Sequence, residues 1–153
     1  MPKQSAGILV YKYINTELQV FLVHPGGPFW ARKDGGAWSI PKGEYLEDEE
    51  PLTAAKREFT EETSQTIDGE FLQLNPVKLK SGKIVHCWAI EGDVDADNIV
   101  SNIFAIEWPY KSGKFIDIPE VDKGGWFDIE TAKEKINIAQ VAFVEELAAL
   151  KKS

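Results

Sequence analysis

The sequence predicts an α/β fold in which a mixed β-sheet is packed between helices. Two apolar runs near the start, Ser5–Tyr11 (SAGILVY) and Leu18–His24 (LQVFLVH), have the length and content of buried strands, with Tyr13–Glu17 as the turn between them. One strong helix pattern, Pro51–Thr63, separates these strands from a later set. The chain closes on an amphipathic helix over Ala139–Leu150, with Val141, Val144, Leu147 and Leu150 along one stripe. Strands on either side of a central helix, followed by a terminal helix, are the pattern of a sheet held between helices.

The elements follow in order. From Pro25 to Gly43 the chain reads as a long loop rich in Gly and Pro, with Trp30, Arg32, Lys33 and Trp38 embedded; loops this long in compact domains are usually functional. Pro51 suits the first turn of a helix, acidic residues crowd that end, and Leu52, Ala55 and Phe59 recur at helical spacing. Phe71–Leu79 and Lys83–Glu91 read as a strand pair joined at Ser81-Gly82. Ile103–Trp108 and Gly125–Asp128 are further strands, and a short helix follows near Glu130–Ile136. There is no internal repeat, low-complexity tract or linker, so all 153 residues are expected to form one domain.

Composition narrows the function. A net charge of −8 argues against nucleic-acid binding, which needs a basic footprint to neutralise phosphates. An anionic substrate would meet repulsion here unless a divalent cation inverted the local charge. The single cysteine, Cys87, has no internal partner for a disulfide, which points to a reducing compartment. The N-terminal residues lack the plan of a signal peptide, and no apolar run approaches the roughly 20 residues of a membrane span. A cytoplasmic protein without a membrane partner is expected; the oligomeric state is left open.

The chemistry concentrates in Gly43–Glu62, GEYLEDEEPLTAAKREFTEE. At about 100° per residue, Glu58, Glu61 and Glu62 fall within an arc of roughly 100° on the helix, and the apolar trio is centred roughly 90° away. Three carboxylates therefore sit beside the buried stripe, at the lip of a cleft. Their mutual repulsion calls for compensation, and a hard divalent cation with oxygen ligands supplies it; Mg²⁺ takes one or two carboxylates together with substrate phosphates. Arg57 can hold Glu49 in a bidentate pair, and Gly43 leaves the backbone free to turn sharply or to approach a ligand. An acidic run flanked by Lys and Arg is, by itself, most often a solvated helix face. The whole pattern is far more specific. Six fixed residues, each with a background frequency on the order of 5–10%, coincide by chance less than about once in a hundred thousand positions.

That pattern resembles the Nudix box, G-x₅-E-x₇-R-E-U-x-E-E-x-G-U, in which U is a bulky apolar residue. The match runs without gaps from Gly43 to Glu62, with Phe59 as the first U. It departs at Ser64, where Gly is usual, and at Gln65, where an apolar residue is usual; both positions close the helix and pack the following loop. The lead-in Trp38-Ser39-Ile40-Pro41-Lys42-Gly43 also resembles that of the family. The resemblance implies an α/β/α sandwich with a mixed sheet and a loop-helix-loop box. It implies Mg²⁺, with Mn²⁺ as a substitute, held by Glu58, Glu61 and Glu62 with the Lys42 carbonyl, and Arg57 and Glu49 as organisers. The implied reaction is attack of a metal-activated water on phosphorus, giving two phosphorylated products.

Family likeness does not fix the substrate. Pro41-Lys42-Gly43, Lys83 on the strand after the box, and Glu120 six residues before Trp126 resemble the diadenosine tetraphosphate hydrolases. The likeness makes Lys83 a phosphate contact and Glu120 a group close to the reaction centre, acting as general base, a role that Glu58 can also fill. Lys42, Gly43, Arg32 and Lys33 complete the expected substrate contacts, the last two from a loop that would cover a polyphosphate. Lys80 and Lys83 equally read as solvated hairpin residues, and Glu120 as a solvated loop acid. A dinucleoside polyphosphate is the leading substrate. The alternatives are oxidised nucleoside triphosphates, nucleotide sugars, inositol pyrophosphates, or a non-catalytic module that senses nucleotide. Trp30, Trp88 and Tyr110 are candidates for stacking on adenine, Trp88 more naturally core. His24 and His86 read as hydrogen-bonded structural residues, and Cys87 as core.

Overall fold

The computed structural model describes residues 3–151. Strand β1 (Gln4–Ile14) lies at the centre of the main sheet, parallel to β6 (Ile84–Glu91) on one edge. Its other edge is shared. The C-terminal half pairs antiparallel with β2 (Glu17–Pro25), from Tyr11↔Val20 to Ile14↔Glu17. The N-terminal half pairs with β3 (Lys42–Glu44), from Ser5↔Glu44 to Gly7↔Lys42. The Ser39–Glu44 segment therefore fills the space where β1 and β2 part: Ile8 N–H donates to the Pro41 carbonyl at 3.1 Å, while Val23 and Ser39 exchange backbone bonds of 2.8 and 2.9 Å. The loop expected to run to Gly43 ends earlier: its last residues, from Ser39, join the sheet, because their backbone groups find partners on two strands at once.

The remaining strands complete the mixed sheet. β9 (Val121–Asp128) pairs antiparallel with β2, while β4 (Leu72–Gln73) and β5 (Val77–Lys78) add to β6. The run Phe71–Leu79, expected as one strand, is thus two short pieces, interrupted around Asn75-Pro76 because proline cannot donate to a ladder. β7 (Ile103–Glu107) and β8 (Phe115–Pro119) form a separate two-stranded hairpin.

Alternation along β1 divides the core in two. Ala6, Ile8 and Val10 pack with helix α1 (Pro51–Thr63), against Ala54, Ala55 and Phe59. Leu9 and Tyr11 face the other layer, where α2 (Ile129–Lys135) and α3 (Val141–Leu150) contribute Ala132, Phe143, Val144 and Leu147. This is the expected α/β/α sandwich. α1 has the expected bounds: Pro51 opens it, and the Glu50 carboxylate caps it by accepting from the Leu52 and Thr53 amides. The last helix starts later than the Ala139 expected, because a 3-10 turn over Ile138–Gln140 precedes it. Among the described residues no helix is long and apolar enough to cross a membrane.

The end of α1 accounts for the two departures from the box. Ser64 occupies a left-handed position, φ 60° and ψ 21°, where glycine fits without strain; its hydroxyl donates to the Val100 carbonyl. The Gln65 amide pairs with the Asp95 backbone in both directions, at 2.9 Å each, so a polar clasp replaces apolar packing.

Candidate active site

α1 and β3 bring the box together. The Gly43 Cα faces the end of the Glu58 side chain so closely that a Cβ there would lie 2.1 Å from the carboxyl carbon. Glycine is required for this approach, not for a turn. Glu58 and Glu62 are buried, at 7% and 5% exposure, whereas Glu61 on the same helix is exposed. The predicted trio thus divides, two acids under the rim and one on it.

Arg57 organises the rim. Its Nε and Nη2 each donate to one oxygen of Glu49 at 2.9 Å, the bidentate pair expected from their chemistry. Its Nη1 donates to Glu58 at 2.8 Å and to both Glu61 oxygens at 3.2 and 3.3 Å. A cationic nitrogen already sits where two carboxylates converge. These bonds hold the Glu49 carboxyl below the usual range and keep Arg57 charged.

Behind the rim a cavity of about 180 Å³ is lined by Val23, Pro25, Ser39, Ile40, Lys42, Glu62, Glu120 and Val121. Glu62 has its proton affinity pushed up to about 9, first by burial and then by the charges of Glu120 and Glu58. Burial likewise raises Glu58, against the opposing pull of Arg57. Lys42 is shifted down by burial and by neighbouring Lys83. Lys83 precedes β6 and bonds Glu44 at 2.8 Å. Among the described residues no three acidic, histidine or cysteine side chains are drawn together closely enough to hold a metal as they stand. The oxygen donors that could do so after rearrangement are Glu58, Glu61 and Glu62.

Glu120 departs from the expected setting. Ile118–Asp122 is not a loop: β8 runs to Pro119 and β9 starts at Val121, earlier than the Gly125 expected, leaving Glu120 as a one-residue junction. Its backbone is held on both sides, its N–H donating to the Asn102 carbonyl at 2.9 Å and its carbonyl accepting from Gly26 N–H at 3.1 Å. Arg32 and Lys33 do not line the cavity; Lys33 Nζ lies 3.8 Å from the centre of the Phe29 ring and Arg32 is exposed. Of the stacking candidates Trp88 is core, at 8% exposure, and Tyr110 is 80% exposed. His86 bonds Gln4, and Cys87 is buried with its thiol shifted up by burial.

Sequence reasoning overlooked Gln140. It is buried, and its carbonyl oxygen accepts from the Ile40 amide at 3.1 Å while its nitrogen donates to the Ser39 hydroxyl at 3.1 Å, fixing the cavity wall from the opposite layer. Nothing local in the sequence marks a contact spanning a hundred residues.

The chain matches the NUDIX domain family model over residues 2–147. Among solved structures it is similar to a C. elegans Ap4A hydrolase in a binary complex, with 18% identity, a TM-score of 0.65, and coverage of 97% of this chain and 96% of that one. It is also similar to the NUDIX domain of Shewanella oneidensis NrtR complexed with ADP ribose, at 16% identity, TM-score 0.68, and 98% and 88% coverage. The MutT protein of Methanosarcina mazei Go1 gives 22% identity, TM-score 0.62, and 99% and 97% coverage. No curated protein matches the chain. The structural likenesses speak for the fold, while the family match, spanning nearly the whole chain, settles kinship: this protein belongs to the Nudix family and has the architecture of a Nudix pyrophosphohydrolase.

Proposed function

We propose that the protein hydrolyses a phosphoanhydride bond of a nucleoside polyphosphate in a Mg²⁺-dependent reaction, with a dinucleoside polyphosphate such as diadenosine tetraphosphate as the leading substrate. The observation that carries this reading is the cavity in which Glu62, Glu120 and Lys42 meet beside Glu58. At about 180 Å³ it is smaller than the roughly 300 Å³ at which pockets begin to enclose whole small molecules, so it suits a phosphoryl group with the rest of the substrate outside.

The donor set fits the metal. Glu58 and Glu61 already converge on one cationic nitrogen, and Glu62 is a buried carboxyl that burial and repulsion disfavour as an anion. These three, with the Lys42 carbonyl, would hold Mg²⁺ or Mn²⁺. Bound there, the ion supplies positive charge to phosphate oxygens and makes water more acidic.

The chain's residues do the rest. Glu120 accepts the proton of the attacking water as its oxygen bonds to phosphorus and the bridging P–O bond breaks, leaving two phosphorylated products. Arg57 and Glu49 hold the rim carboxylates in position. Lys42 and Lys83 offer positive charge to the phosphates, and Gly43 lets the chain pass close to Glu58. Arg32 and Lys33, outside the cavity, are candidates for the outer phosphates.

The test is a panel of diadenosine tetraphosphate, oxidised and ordinary nucleoside triphosphates, ADP-ribose and an inositol pyrophosphate, each with Mg²⁺ and with excess chelator, and products separated by chromatography. Cleavage of the dinucleotide to two nucleotides only with the cation is expected. Preference for ADP-ribose would move the substrate to the nucleotide-sugar class, and binding without any cleavage would make the chain a sensor.

A further inference from the structure

The β2–β9 ladder carries an irregularity beside the cavity. His24 pairs with Lys123, but the next residue, Pro25, pairs with Val121, so Asp122 is an extra residue bulged out of β9. Beyond this bulge lies Glu120. Pro25 has no N–H to give the ladder, so one backbone bond is missing next to the bulge and the junction rests on fewer of them, among them Gly26 N–H to the Glu120 carbonyl.

Side chains add to these bonds. His24 is buried, with Nδ1 2.9 Å from the Asp122 carboxylate and Nε2 2.6 Å from the Lys33 carbonyl. The Lys33 carbonyl only accepts, so Nε2–H donates to it, and the Nδ1–Asp122 bond holds one further proton between ring and carboxyl, because neither a bare Nδ1 nor a carboxylate can donate. The imidazole thus joins the bulge on one side and the loop that carries Lys33 on the other. Its ring centre lies 5.3 Å from that of Trp38, edge to face. The next link is Gly26, whose N–H donates to the Glu120 carbonyl; any Cβ on Gly26 would fall 2.2 Å from the Pro119 carbonyl oxygen. Without the bridge, a slip of one residue would turn the side chains at the junction to the opposite face.

We infer that His24 is a positioning residue for Glu120: by bridging the bulged Asp122 to the Lys33 carbonyl it fixes the junction from which Glu120 enters the cavity. This rests on the reading of Glu120 as the base.

The experiment is a double-mutant cycle on the Mg²⁺-loaded protein, with diadenosine tetraphosphate or the panel nucleotide it cleaves best. His24→Gln is expected to lower kcat roughly tenfold or more with KM little changed, as a misplaced catalytic group does. In a Glu120→Gln background the same change should cost no more than about twofold, because both act through one group. Asp122→Ala, at a partly exposed site, should reproduce the loss if His24→Gln folds poorly. Asp122→Asn should restore most of kcat, since its amide can still meet Nδ1. Hydrogen exchange gives a readout without substrate or metal: the Gly26 amide should lose protection in His24→Gln and Asp122→Ala and keep it in Asp122→Asn. Costs that multiply, or an unchanged Gly26 amide with unchanged kcat, would overturn the positioning role alone. A fully active Glu120→Gln enzyme, or a wild type without turnover, would remove the base and the positioning role together.

Discussion

At the scale of single residues, Arg57 shows how one side chain organises several acids. Its fork spans both Glu49 oxygens while Nη1 reaches Glu58 and Glu61. Lysine has one ammonium and cannot copy that geometry, so Arg57→Lys should lower kcat roughly tenfold or more, with the melting curve nearly unchanged. Equal turnover would return Arg57 to a solvated helix face. Ser64 makes a second case. Its left-handed backbone costs about 1 kcal/mol, offset by the hydroxyl bond to Val100. Ser64→Ala loses the bond and keeps the strain, whereas Ser64→Gly loses both. Denaturant unfolding should therefore find the glycine variant more stable than the alanine variant by about 1 kcal/mol. The reverse order would mean that strain is not what the site contends with.

At the scale of elements, the decisive contact is β3 against α1. Strand residue Gly43 and helix residue Glu58 approach too closely for any other side chain at position 43. The clashing atoms are the tip of a flexible glutamate, so Gly43→Ala should displace Glu58 and not unfold the sheet. Expected are a loss of kcat of roughly two orders of magnitude and a cooperative melt close to that of the wild type. A normally active alanine variant would show that the position of Glu58 is immaterial. The β7–β8 hairpin stands outside the packed layers, with Ile103 and Phe115 66% and 67% exposed. Its base is nevertheless tied to the site, through Asn102 N–H to the Glu61 carbonyl and Asn102 carbonyl to Glu120 N–H.

At the scale of the whole molecule, an acidic chain of net charge −8 buries acids at one spot, and that has a thermodynamic cost. Glu62 holds its proton to about 9 when folded, against an ordinary value of 4.5. The folded protein therefore binds this proton more tightly than the unfolded chain does. In excess chelator, stability should fall as pH rises from about 4.5 towards 9. Glu62→Gln, uncharged throughout, should melt higher than the wild type at pH 8 in chelator, show a flatter pH dependence, and gain less from added Mg²⁺. Its turnover should fall by roughly two orders of magnitude. Melting curves at pH 5 and pH 8, with and without Mg²⁺, check the sign; an equal slope in both proteins would refute it.

How much of this could be read in advance depended on the range of the interactions. α1 was legible to its end residues, because the opening proline and the apolar spacing both act within one segment. The strands β1, β2 and β6 showed in short apolar runs, and the Arg57–Glu49 pair followed from chemistry eight residues apart. By itself, then, the sequence determined the layers and which acids are gathered. Tertiary structure alone decided how those acids divide: Glu58 and Glu62 go under the rim because β3 enters between β1 and β2, and Glu61 stays outside. It also decided that Glu120 stands at a strand junction held by Asn102 and Gly26, and that Gln140 braces Ile40 from the far layer. The physical reason is that hydrophobic period and capping are local, whereas hydrogen-bond partners across a sheet are chosen only when distant segments meet.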